Sequence, residues 1–275
     1  MGLAEILELM AVGLLAGTWG SLIGAGGGFI IVPVLLLMNQ SLSVAAVTAV
    51  SLVAVCINAI SGTLVYARSQ RIDYRTGSLF LVATLPGGVL GALIVNYVHR
   101  GSFQVLLGSL LCAVAIYLMT KPGNLLAQKR LSDTGYPCRI VDGMGRVFEY
   151  RVRRGWGASI TFITGFLASM LGVGGGIFNV PAFALILGIP VEIAAATSHF
   201  MVIGTAMIAN ITNFAEGDLQ GLWAVAMSLA TGTLIGGQLG PRISYRYGSR
   251  WLTVALSSGL LVVGLRLLWA GWQYL

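Results

Sequence analysis

Charged residues are missing from most of this 275-residue chain. No Asp, Glu, Lys or Arg falls in 9–67, 76–99, 101–120, 155–191, 193–215 or 219–241. A helix crosses the hydrocarbon core of a bilayer with roughly 20 apolar residues, and each of these windows reaches or exceeds that length. Charged residues make up 9% of the chain, against about a quarter in soluble domains. The windows exclude a water-soluble core. They predict an all-α integral membrane protein with about eight apolar segments. Reading helices from the windows gives 3–23 and 29–38, 43–67, 75–97, 102–120, 155–171 and 177–188, 191–214, 219–241 and 249–274.

The formal net charge is +7. Residues 121–154 hold eight basic and three acidic side chains, so +5 of that charge lies in one stretch. Clustered Lys and Arg beside membrane helices mark a cytoplasmic loop, which explains the basicity without nucleic acid. Turn signals (DTGYP, DGMG) and the alternation in RVFEYRV predict a small β-hairpin within it. The N-terminus carries Glu5 and Glu8 but no basic residue, so no cleaved secretory signal is expected. Cys56 and Cys112 read as small hydrophobes in helices, and Cys138 has no CxxC or His neighbour to suggest a metal or redox pair.

A shift of 148 residues places Gly17 on Gly165, Gly24 on Gly172, Gly26–Gly28 on Gly174–Gly176 and Pro33 on Pro181. One position of slippage then pairs AAVTA with AAATS, matching Thr48 with Thr197. The chain therefore divides into a first transmembrane repeat (1–120), a linker (121–154) and a second repeat (155–275). Loop charges swap sign between the halves. Arg68, Arg71 and Arg75 lie in one loop whose counterpart holds Glu216 and Asp218, while the turn at 98–101 has one Arg and its counterpart has Arg242, Arg246 and Arg250. Swapped bias predicts an inverted repeat, with each glycine-broken segment forming a hairpin that enters and leaves on one side. Both termini then lie outside and the linker lies in the cytoplasm.

Three glycines in a row break a helix, since each costs roughly 1 kcal/mol relative to alanine. Inside a bilayer, irregular backbone survives only where it is buried or lines a cavity. A glycine turn followed by a new helix exposes unpaired N–H groups and a positive dipole end, which suits an anion. Discontinuous helices of inverted-repeat transporters build midplane sites in this way. The competing reading is close packing, and it is the preferred one for Gly87, Gly91, Gly232, Gly236 and Gly240, which stand in GxxxG spacing. GAGGGF is not GxGxxG and follows no strand, so a nucleotide site is excluded. The helices after the turns carry Thr48, Ser51 and Asn58, and Thr197, Ser198, His199 and Asn210. Singly, such hydroxyls commonly bond their own backbone; their recurrence points to a shared polar lining. His199 is an ionisable group well inside a span and a functional candidate by default.

The doubled GAGGGFIIVP and GVGGGIFNVP, with VTAVSL and ATSHF after them, resemble the TauE/SafE family of sulfite and organosulfonate exporters. Tyr66 and Phe214, each an aromatic before a short polar turn, fit the same pattern. The second cluster reads Thr-Ser-His where the family usually has Thr-Ser-Leu. The resemblance implies a polytopic secondary transporter that exports small sulfur-containing oxyanions such as sulfite or sulfonates across the cytoplasmic membrane. Its expected binding set is Gly26, Gly27, Gly28, Thr48, Ser51, Gly174, Gly175, Gly176, Asn179, Thr197, Ser198 and His199, with no metal and no cofactor. The expected partners are a small anion and the lipid bilayer, with no nucleic acid and a homodimer left open. A channel or uniporter for another small anion or carboxylate shares the same lining. An intramembrane enzyme is disfavoured, because no Asp is buried in a span and the adjacent Ser198 and His199 point in different directions on a helix.

Overall fold

The computed structural model describes residues 2–39, 41–120, 135–246 and 250–273. The linker stretch 121–134 and the turn 247–249, both read above from sequence, lie outside the described residues. The described residues form ten α-helices and one two-stranded sheet. In the first half these are α1 Leu3–Ile23, α2 Gly28–Met38, α3 Val44–Arg68, α4 Tyr74–Ile94 and α5 Arg100–Thr120. Strands β1 Tyr136–Val141 and β2 Val147–Val152 follow, then α6 Arg154–Met170, α7 Gly176–Leu185, α8 Val191–Glu216, α9 Trp223–Arg246 and α10 Arg250–Trp272. Four helices are long and apolar enough to cross a membrane: α1, α3, α4 with its 3₁₀ extension to Tyr97, and α8.

Helix ends follow local chemistry. The Ser43 hydroxyl accepts from Ala46 N–H and starts α3, while Asp73 accepts from Thr76 N–H and starts α4. Gly24 and Gly217 stop α1 and α8 in the left-handed region, at φ 82° and 83°. The glycines at 217 and 221 hold a turn that delays α9 to Trp223, four residues later than the charge-free window suggests. Lipid-facing positions are apolar, as Val82 on α4, Met207 on α8 and Ile235 on α9 show. Trp156, Trp269 and Trp272 are exposed near helix ends, where aromatic belts form at bilayer interfaces.

Small residues set the packing. Gly13 and Gly17 of α1 lie against Leu229 and Thr233 of α9, so those helices run parallel. Gly87 and Gly91 of α4 lie on Phe162 and Phe166 of α6, again in parallel. By contrast α3 and α8 run antiparallel, with Val55 near Val202 and Gly62 near His199. α5 and α10 are also antiparallel, Gly108 facing Gly264 and Gly271 facing Gly101. Exchanging α1–α5 for α6–α10 turns the α1/α9 pair into α6/α4, and maps α3/α8 and α5/α10 onto themselves.

Gly91 and Gly236 sit on backbone carbonyls of the facing helices, Phe166 O and Leu14 O. An added methyl must push the helices apart. Gly91→Ala and Gly236→Ala should each destabilise the fold by about 1–3 kcal/mol. Thermal melts of the purified protein in detergent test this, and unchanged melting temperatures contradict it.

Candidate functional site

Both glycine turns reach the crossing of α3 and α8. In the first, Ala25 and Gly26 N–H bond to Gly20 O, and Gly26 and Gly27 take φ of 81° and 87°. In the second, Val173 N–H bonds to Ala168 O, and Gly174 and Gly175 take φ of 84° and 93°. Side chains rarely adopt such angles, so glycine is required there. No side chain caps α2 or α7. Their first N–H groups have no intrahelical acceptor.

The turns touch each other. Gly28 at the start of α2 packs on Gly172 O, and Gly176 at the start of α7 packs on Gly24 O. Those same carbonyls accept the hydroxyls of the crossing helices, Ser51 Oγ to Gly172 O at 2.7 Å and Ser198 Oγ to Gly24 O at 3.3 Å. A Cβ on Gly26 would stand 2.9 Å from Val55 Cγ1 and 3.3 Å from Val202 Cγ1, and one on Gly174 meets the same two methyls. Two valine methyls thus close over the turns.

This geometry fixes which residues of the halves correspond. Thr48 packs on Gly172 as Ala195 packs on Gly24, Ser51 matches Ser198, and Val55 matches Val202. The offset in α3 and α8 is therefore 147 residues, and the sequence match of Thr48 with Thr197 is two residues out of register. Two residues rotate a helix face by about 200°, so Thr197 points away from the turns. Its hydroxyl accepts Asp73 N–H at 3.0 Å, beside Gly77 of α4. Thr48 Oγ1 bonds its own helix at Ala45 O, presenting its methyl side to Gly172. Asn179 is turned toward α6, where its amide oxygen accepts from Thr164 Oγ1. Gly26, Gly28, Gly174, Gly176, Ser51 and Ser198 converge, with Gly27 and Gly175 in the turns behind them and Thr48 at the margin.

A second polar group lies on the α1 side of the crossing. His199 is fully buried, with Nε2 3.4 Å from Asn58 O and its ring edge-on to Tyr66 at 5.7 Å between centroids. Tyr66 donates to Ser21 O at 2.7 Å. The His199 Nδ1 and both side-chain amide atoms of Asn58 are buried without a hydrogen-bond partner. In the tautomer with its hydrogen on Nε2, the ring donates to Asn58 O and Nδ1 keeps a lone pair. Native proteins rarely leave such groups unpaired unless they serve a purpose. The signal in the sequence was an Asn and a His within apolar helices, but only the antiparallel crossing brings them together.

The family model described as sulfite exporter TauE/SafE matches residues 9–267. The chain belongs to this family. A "probable membrane transporter protein" YunE of Bacillus subtilis is 30% identical over 269 residues, covering 96% of this chain and 97% of the relative. MJ0441 of Methanocaldococcus jannaschii, with the same description, is 28% identical over 272 residues and 94% of each chain. YfcA of Escherichia coli K12, again so described, is 27% identical over 245 residues, 88% of this chain and 81% of its own length. No solved structure matches the chain. The protein is a multi-pass membrane transporter of the cytoplasmic membrane, and its family is one of transporters rather than enzymes.

Groups left unpaired cost folding energy, so replacing Asn58 with an apolar residue of similar size is close to neutral or stabilising. Asn58→Leu should hold or raise the melting temperature while lowering transport. A melting temperature depressed as far as that of Gly236→Ala would show that the amide supports the fold.

Proposed function

We propose that the protein is a secondary transporter of small sulfur-containing oxyanions, built as an inverted repeat whose two glycine turns form one shared site. The observation that carries this reading is the meeting of two uncapped helix N-termini, one from each half, at the antiparallel crossing of α3 and α8. Equivalent helices that cross antiparallel are related by an axis perpendicular to them, which lies in the membrane plane. Equivalents related by an axis along the membrane normal would run parallel. The inverted loop charges agree, placing 68–75 and the linker inside and 216–218 outside. The division into repeats 1–120 and 155–275 around the linker 121–154 rests on the same pairing.

In this reading the anion lies between Gly26–Gly28 and Gly174–Gly176 once the repeats rock apart, with the first N–H groups of α2 and α7 as donors. Ser51, Ser198 and the methyl side of Thr48 hold the turns, and Asn179 ties the start of α7 to Thr164 of α6. Asn58 Nδ2 supplies a further donor. His199 becomes a donor at Nδ1 only by taking up a proton, so the anion and a proton bind together there. Among the described residues no carboxylate sits within the site to carry that proton instead. The closed, valine-plugged arrangement is then the occluded step of alternating access, in which each half opens toward its own side. The family description and the donor set support export of sulfite or a sulfonate.

Counterflow in proteoliposomes tests this. Sulfite or ethanesulfonate should exchange saturably and acetate weakly, with His199→Leu lowering the rate roughly tenfold and flattening its pH dependence. Non-saturable flux indicates a channel. Preference for acetate, or a pH profile unchanged in His199→Leu, contradicts the oxyanion or the proton role respectively.

A further inference from the structure

Below the crossing, on the side that the charge bias assigns to the cytoplasm, lies a cavity of about 670 Å³. Its walls include Arg68 at the end of α3, Ser69 and Arg71 just after it, Arg242 near the end of α9, and Met144 from the β-hairpin, with Tyr66 as its floor. The hairpin is docked firmly enough to form a wall. Gly143 N–H bonds to Ser69 O at 3.0 Å, and Tyr150 donates to Asp73 Oδ2 at 2.7 Å. Asp142 takes Met144 and Arg146 N–H on one oxygen, and the Arg71 and Arg146 guanidinium groups on the other. Burial alone would raise the Asp142 carboxyl, but these hydrogen bonds outweigh it and hold it below the ordinary carboxylate value.

We propose that this cavity is a loading site that holds a small sulfonate- or sulfate-type oxyanion before it passes Tyr66. The proposal rests on the oxyanion reading above, but concerns a different place in the protein. Charge is the first argument. Arg68 and Arg242 are exposed and pair with no carboxylate among the described residues, and Asp142, the partner of the lining residue Arg71, is shared with Arg146. A concave, one-signed wall of low dielectric concentrates counter-ions and raises their capture by roughly 10–10³-fold. Continuity is the second argument. The floor residue Tyr66 touches His199 edge-on and bonds Ser21 O at the end of α1, so the cavity abuts the polar group beside the turns. Size is the third. At about 670 Å³ the space admits an oxyanion with its water shell, since a water occupies about 30 Å³ of liquid.

A lipid phosphate shares this chemistry, so the test separates the two sources. Full-length protein with Cys56→Ala, Cys112→Ala and Cys138→Ser, carrying Met144→Cys as the reporter, is reconstituted in phosphatidylcholine vesicles. Two methanethiosulfonate reagents are compared, one bearing an ethylsulfonate and the other a trimethylammonium group. The sulfonate reagent should modify the introduced thiol about tenfold faster, and Arg68→Gln with Arg242→Gln should bring the two rates together. Ethanesulfonate should slow the modification where sodium chloride of equal ionic strength does not. Equal rates in the parent, or a preference that survives the double substitution, overturns the proposal. So does protection by added phosphatidylglycerol without protection by ethanesulfonate, which assigns the cavity to lipid. The readout needs no transport: charge selection and protection without sulfonate counterflow would sustain the loading site and refute the transport reading, and counterflow without them would do the reverse.

Discussion

A helix broken inside a bilayer leaves backbone N–H and C=O groups that lipid cannot satisfy, and the arrangement of this protein answers that constraint. The turns at Gly24–Gly28 and Gly172–Gly176 are enclosed by α3 and α8 and by each other. Gly24 O and Gly172 O, exposed by the breaks, receive Ser198 and Ser51 hydroxyls from the crossing helices. What the helices do not supply is a cap for the N-termini of α2 and α7. The donors left over are those an anion would use, and the glycines that make the breaks sterically possible also leave no side chain in the way.

The outer helices serve the same end by different means. Glycine seams let α1 lie on α9 and α4 on α6 at backbone distance, so each broken hairpin is held by a helix of the opposite half. That interlocking matters for movement. In the proposed alternating access, a rocking of one half against the other slides these seams, and the two turns, seated at the crossing, part or close with it. Asp73 links this core to the hairpin: one oxygen caps α4 and the other accepts Tyr150, while its N–H is held by Thr197 on α8. Burial and the Asp73 charge push the Tyr150 phenol well above its ordinary range, so it stays a donor.

The helices were legible because their boundaries coincide with charges, glycines and caps; α1 runs over the 3–23 read from the sequence. The doubled glycine motif located the turns, and its φ-positive residues are those the motif repeats. Register was not legible. AAVTA and AAATS match as letters, yet packing aligns Thr48 with Ala195, because the contact surface at that position needs only a small residue on the opposing glycine. The letter match therefore puts Thr197 at the turns, whereas its hydroxyl holds the start of α4 through Asp73 N–H. The pairing of Asn58 with His199, and the clamp of Arg71 on Asp142, join residues far apart in the chain. No local pattern encodes such contacts.

The central claim is that two halves build one site. Equilibrium binding of the transported anion to purified protein tests it most directly, measured for the parent, Ser51→Ala and Ser198→Ala. These serines hold equivalent carbonyls of opposite turns. The account predicts affinity weakened in the same direction by both substitutions. Weakening by one substitution and not the other would contradict it.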